Sequence, residues 1–309
     1  MKWILCGKND AAVAALEHLV ARGDEVLAIG VHDDRGEDGW QRSLRRAALR
    51  LGVRFEQPRR LSDPEWIERL RAFGARALVS IQYDQILRGA LLRGIGCPCL
   101  NLHFSLLPLH RGAAPIAWAI LSGDAQAGAT LHHMEEAIDA GDVVAQRAVA
   151  IDAESTAREL YERVSGAATE LFAEHCPFDA SLLARRRPQP TQGVPPTRRT
   201  GDLDFTQRRA DFSRDARELQ RWLRAWIFPP FQLPELVCAG RRVEIRRVAG
   251  SIGPARGAEP GTVLASGDGA LEVAARGGSL RLAELSLAGR PEATSEEIAR
   301  SIPVGARLD

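Results

Sequence analysis

The chain has 309 residues, 45% hydrophobic and 26% charged, enough for two globular domains with sizeable cores and unlike a disordered or fibrous chain. Forty-one basic residues stand against 40 acidic ones, and the net charge of +1 supplies no overall field for nucleic acid or anionic lipid. Only Lys2 and Lys8 are lysines, so the arginine excess reads as a compositional bias.

The first half alternates strands with helices. Trp3 to Cys6 reads as a buried strand, followed by a turn at Gly7-Lys8-Asn9-Asp10 and a helix from Ala11 to Arg22 capped by Asp10. Glu25 to Val31 is a second strand, Trp40 to Leu51 a helix, and Pro64 to Phe73 another helix. Ala77 to Ile81 and Cys99 to Leu102 are further strands, and Ala114 to Leu121 and Ser155 to Glu174 further helices. This rotation predicts an α/β domain, Rossmann-like in layout, with a mostly parallel sheet covered on both faces. No G-x-G-x-x-G follows the first strand, and Gly7-Lys8 alone is no P-loop, so nicotinamide or ATP chemistry has no motif behind it.

Arg185 to Thr200 (RRRPQPTQGVPPTRRT) reads as an extended linker, a solvated spacer in preference to a phosphate-binding strip. A helix at Ala216 to Trp226 follows. Strand-like runs come next at 235–239, 242–248, 261–265, 270–274 and 280–285, which predict a small β-barrel-like domain of OB type. The expected organisation is a catalytic domain at 1–184, a linker at 185–203 and a β-rich domain at 204–309.

Cys6, Cys97, Cys99, Cys176 and Cys238 are odd in number and scattered, as reduced core thiols would be. The start of the chain is too short in apolar residues for a signal peptide, and no stretch has the apolar length of a membrane span. A cytoplasmic location is the expectation.

The chemistry concentrates between Asn101 and Asp142. Asn101 and His103 sit at i and i+2 at a strand's carboxyl end, so an amide and an imidazole project together where open α/β sheets bind ligands. Asp139 opens the turn Asp139-Ala140-Gly141-Asp142. An amide to stabilise an oxyanion, an imidazole to move a proton and a carboxylate to orient it suit acyl transfer without a protein nucleophile. Taken singly, the histidine is as well read as structural and the turn as merely a turn. Of the residues between, Ser105, Leu106, Leu107 and Pro108 are expected to shape the loop, with Ser105 the one of them able to touch a ligand, Arg111-Gly112 to anchor the loop, and His110 to be exposed and incidental. His132 and His133 are adjacent, face opposite ways on a strand, and so cannot share a metal; the site is expected to be metal-free.

The string Asn-x-His-x-Ser-Leu-Leu-Pro-x-x-Arg-Gly-x-x-Pro, with Asp-x-Gly beyond it, resembles the signature of the formyltetrahydrofolate-dependent formyltransferases. The resemblance implies that Asn101 and Asp139 stabilise the transition state and that His103 shuttles the proton. It places the folate pocket on Gln85, Ile86 and Leu87 and on Glu135, Glu136, Ala137, Ile138 and Asp139. Backbone groups there would bond the pterin and apolar side chains would sandwich it. The implied formyl donor is 10-formyltetrahydrofolate, with no metal.

The acceptor is expected to be a nucleotide-linked amino sugar, because Thr130 to Gln146 looks closest to the UDP-4-amino-arabinose formylating domain. Methionyl-tRNA as acceptor, or hydrolysis of the donor, are the alternatives. Residues 201–309 carry 16 Arg against 15 acidic residues, and His32 to Asp38 is acidic; both argue against a tRNA partner. Two departures stand out. Ala113 replaces the Arg of that sugar-nucleotide relative, and Ile227-Phe228-Pro229-Pro230-Phe231 lacks the Trp of the family's Pro-Trp-Pro turn. A homodimer is compatible with the sequence.

Overall fold

The computed structural model describes residues 1–190, 192–287 and 292–308. They form two compact units: 1–115 with 127–149 and 163–200, and 116–126 with 150–162 and 201–309.

The first unit is built on seven strands: β1 (Lys2–Gly7), β2 (Glu25–Gly30), β3 (Arg54–Glu56), β4 (Ala77–Ile81), β5 (Cys99–His103), β6 (Gln126–His133) and β7 (Val143–Ala150). They lie in the order β3-β2-β1-β4-β5-β6-β7. The pairs from β3 through β5 are parallel, as expected, and β5 meets β6 antiparallel. Trp3, Ile4, Leu5 and Cys6 are all fully buried, the mark of a strand covered on both faces. Ile4 and Cys6 pack with Leu27, Ile29 and Leu78 and with Ile67 and Leu70 of the helix Pro64–Phe73. Trp3, pointing the other way, meets Phe178 edge to face at 5.5 Å.

The first two helices differ from expectation, for local reasons. The first helix runs Asn9–Ala21 with Lys8 as N-cap, so Asp10 lies in its first turn and accepts from the backbone and side chain of Arg42. The second runs Leu44–Arg50, because Ser43 caps it by accepting from Arg46 N–H at 3.0 Å, while Asp38 holds the Ser43 N–H in the preceding loop.

The second unit carries β8 (Glu235–Cys238), β9 (Arg241–Val248), β10 (Val263–Gly267), β11 (Ala270–Ala275) and β12 (Gly278–Leu287). They form one antiparallel sheet ordered β10-β11-β12-β9-β8. The helix Ala216–Trp226 starts on Asp215, whose carboxylate accepts from Arg217 N–H. Its buried Arg224 donates to the carbonyls of Asp152 and Ser155, which serves backbone acceptors within the same unit. Phe228, in the run that lacks the family's Trp, packs edge to face on Tyr161. All five cysteines are free thiols. Among the described residues no helix is long and apolar enough to cross a membrane.

Candidate functional site

β5 ends with Asn101 and His103 on one face, and its antiparallel partner brings His132 opposite Asn101. Asp139 arrives from the loop between β6 and β7. The three residues singled out from the sequence therefore converge. Asn101 Nδ2 donates to Asp139 Oδ1 at 3.3 Å, and His103 Nδ1 lies 3.4 Å from Asp139 Oδ2. Gly112 N–H donates to the same Oδ2 at 2.8 Å.

His132 is a fourth member that the sequence reading passed over. Its Nδ1 donates to the His133 carbonyl at 2.8 Å, leaving Nε2 to accept from Asn101 Nδ2 at 3.1 Å. Both hydrogens of the Asn101 amide are thus committed, and its nitrogen is fixed toward Asp139. The rings of His103 and His132 stand edge to face at 6.4 Å. Both are nearly inaccessible, so the cluster is a buried polar network in which each group answers for the others.

Burial pushes the Asp139 carboxyl upward, but the facing His103 imidazole and the Gly112 N–H outweigh it. Together they hold the group well below the usual carboxylate range. Asp139 is therefore an anion at neutral pH. Burial lowers the Arg111 guanidinium, and the Asp139 charge acts against that.

His110 is not exposed, contrary to expectation. It is buried, has φ 53°, and its carbonyl accepts from His103 Nε2 at 3.0 Å. The loop folds back at this residue and holds the imidazole from the side away from Asp139. Ser105 shapes the loop: it is buried, and its hydroxyl donates to the Leu109 carbonyl at 2.6 Å. Two further residues brace the loop: Thr130 Oγ1 donates to Ser105 O and accepts from Leu107 N–H, and Gln146 Nε2 donates to Leu107 O. Arg111 anchors, as expected, through Gln189.

The positions assigned to a folate pocket fall on two loops joined by one bond, from Gly89 N–H to Glu136 Oε2 at 3.0 Å. Ile86 and Ile138 expose their side chains, 60% and 37%, and Glu135, Glu136 and Ala137 are exposed too. Leu87 instead lies in the core cluster. The Gln85 carboxamide is spent on Leu61 N–H and the Pro58 carbonyl, so only its backbone is left for a ligand. Exposed apolar side chains beside backbone donors suit a flat heteroaromatic ring. Among the described residues no group of three or more His, Cys, Asp or Glu could hold a metal.

Two glycines are fixed by close approach. A Cβ on Gly112, at φ +88°, would lie 2.0 Å from the Arg198 carbonyl oxygen, and one on Gly141 2.0 Å from that of His133. Gly112→Ala is expected to destabilise the protein by about 1–3 kcal/mol through forced backbone movement. It should also lower activity, because the same N–H serves Asp139. A melting curve and a rate assay at one temperature check this, and unchanged values in both would contradict the geometry.

Residues 15–175 match the family model described as formyl transferase, and residues 203–303 the model of the formyl transferase C-terminal domain. A methionyl-tRNA formyltransferase of Myxococcus xanthus is 35% identical over 292 residues, 93% of this chain and 90% of that protein. One from Dinoroseobacter shibae is 35% identical across the full length of both. Among solved structures, the N-formyltransferase of Helicobacter canadensis, in complex with folinic acid and dTDP-3-aminofucose, is 20% identical. It superposes with a TM-score of 0.71 over 93% of this chain and all of that one. With both halves matched and full-length relatives at about a third identity, the chain belongs to the formyl transferase family and is an enzyme of formyl-group transfer.

Proposed function

We propose that this enzyme moves a formyl group from 10-formyltetrahydrofolate to a primary amine, with Asn101, His103 and Asp139 as the reacting groups. The observation that carries the reading is their convergence around one carboxylate at the end of β5. In the reaction the amine nitrogen bonds to the formyl carbon, the bond from that carbon to the folate nitrogen breaks, and the amine's proton passes to that nitrogen. Asn101 donates to the formyl oxygen as negative charge develops there, giving up its longer bond, the one to Asp139. His103, held between Asp139 and the His110 carbonyl, relays the proton. Asp139, anionic throughout, steadies the imidazolium.

The acceptor favoured here is methionyl-tRNA, in place of the amino sugar expected from charge. The full-length relatives carry that name, whereas likeness to the sugar enzyme at 20% identity speaks for fold. Two features ease the charge objection. Asp34 and Asp38 in the acidic loop are occupied with Ser43 and the backbone of the helix that follows. Residues 185–200 hold five arginines and no acid, and Arg185, Arg186, Arg187 and Arg199 are exposed, a strip fit for phosphates. A nucleotide-linked amino sugar remains the second reading, favoured by the balanced charge of residues 201–309.

The test supplies 10-formyltetrahydrofolate with methionyl-tRNA, with a panel of amino-sugar nucleotides, or with no amine. Formylation of methionyl-tRNA that falls steeply with salt is expected. Turnover of an amino-sugar nucleotide alone would replace the acceptor, and donor consumption without any amine would make the enzyme a hydrolase.

A further inference from the structure

Gln189 lies outside the motif, in the Pro- and Arg-rich segment whose composition reads as a spacer. Its carboxamide is nonetheless engaged on both sides. Nε2 donates to the carbonyls of Asp139 at 3.0 Å and Gly141 at 2.7 Å, while Oε1 accepts from Nε and Nη2 of Arg111 at 3.0 and 2.6 Å. The backbone around it is tied down as well. Arg187 and Val143 exchange two hydrogen bonds, Arg198 N–H donates to the Arg111 carbonyl, and Ala113 N–H donates to the Arg198 carbonyl. The segment therefore fastens both loops that meet at the site: the one bearing Asp139, and the one bearing the Gly112 N–H that Asp139 accepts.

Asp139 needs such fastening. Its φ is 51°, in the left-handed region, which a residue with a side chain holds only where its surroundings fix it. Two hydrogen bonds from one amide onto the carbonyls of Asp139 and Gly141 clamp the turn on either side of Ala140. If the turn relaxed, the carboxylate would swing off His103 Nδ1 and Gly112 N–H together.

We infer that Gln189 is a positioning residue for formyl transfer, setting the Asp139 carboxylate against His103 through the backbone of the turn and through Arg111. This rests on the reading of Asp139 as a reacting group. Gln189 acts through Asp139 and Arg111, the groups its carboxamide bonds. Its loss strikes the rate of the chemical step and leaves donor binding nearly intact.

The experiment uses the full chain with Gln189→Met, which keeps the volume and loses all four bonds. Alongside it stands Gln189→Glu, which still accepts from Arg111 but offers the two carbonyls no N–H. Both are expected to lower kcat by about tenfold to a hundredfold, the scale of an ångström's misplacement. KM for 10-formyltetrahydrofolate should stay within about threefold. The readout that a merely structural role would not move is the double variant. Gln189→Met combined with Asp139→Asn should be no slower than Asp139→Asn alone, because residues acting through one group do not add. Folded Gln189 variants with kcat within about twofold of the parent, or losses that multiply in the double variant, overturn the assignment. If Asp139→Asn keeps full activity, the reading of Asp139 falls and this inference with it. An inactive Asp139→Asn beside fully active Gln189 variants overturns the inference alone. Should Gln189→Met fail to fold, Gln189→Glu and its own double variant decide by the same criteria.

Discussion

Asn101→Ala is expected to lower kcat by about a hundredfold to a thousandfold, the usual cost of removing one oxyanion donor. The amide is half-buried at the end of β5, and its nitrogen is aimed by two partners before any substrate arrives. That preorganisation is what gives the bond its worth, since no reorientation is needed as charge develops. Alanine leaves His132 Nε2 without its donor and removes one hydrogen bond from Asp139, but it leaves the fold's core untouched. Donor KM should therefore change far less than kcat. Single-turnover rates at saturating donor are the measurement. A folded variant transferring formyl at the parent's rate would take the oxyanion role away from Asn101.

Asp139→Asn is expected to cost about a hundredfold to ten-thousandfold in kcat, because a neutral amide neither steadies an imidazolium nor accepts on both atoms. In the protein as it stands, Oδ1 accepts from Asn101 and Oδ2 from Gly112 N–H beside His103. An amide turned either way sets a donor against a donor. The same substitution has a signature in stability. The Asp139 carboxyl is held below its ordinary value in the folded state, so its contribution is present above the unfolded carboxyl's pKa of about 3.9 and fades as pH falls below it. The parent should lose more stability than the asparagine variant between neutral pH and about pH 3, the range in which an unfolded carboxyl takes up its proton. Denaturant titrations of both proteins across that range give the comparison, and parallel pH curves would mean that Asp139 is not held as an anion.

How much of this was legible in the chain follows from the range of each signal. The parallel strands could be read because each is a continuous apolar run, and Asn101 and His103 because two residues on one extended strand share a face whatever lies around them. His132 was hidden because its partnership depends on register between β5 and β6, a pairing across 31 residues that no local pattern encodes. His110 misled for a related reason: in sequence it is a polar loop residue, but a positive φ turns its carbonyl onto His103. Trp40 and Gln41 continue the spacing of the second helix, whereas the Ser43 cap and the loop bonds to Asp38 decide where it starts. Gln189 was the least visible of all. Its segment has the composition of a spacer, and only side-chain geometry shows that its carboxamide closes a turn 50 residues earlier.

The position of that segment in the chain also sets an order of assembly. All seven strands of the first sheet have been synthesised once residue 150 leaves the ribosome, yet the residues that fasten the Asp139 and Gly112 loops, Arg187 to Arg198, come some forty residues later. The sheet can therefore form around an unlatched site. In order of synthesis the loops come first, and the arginine-rich stretch that settles across both of them comes last.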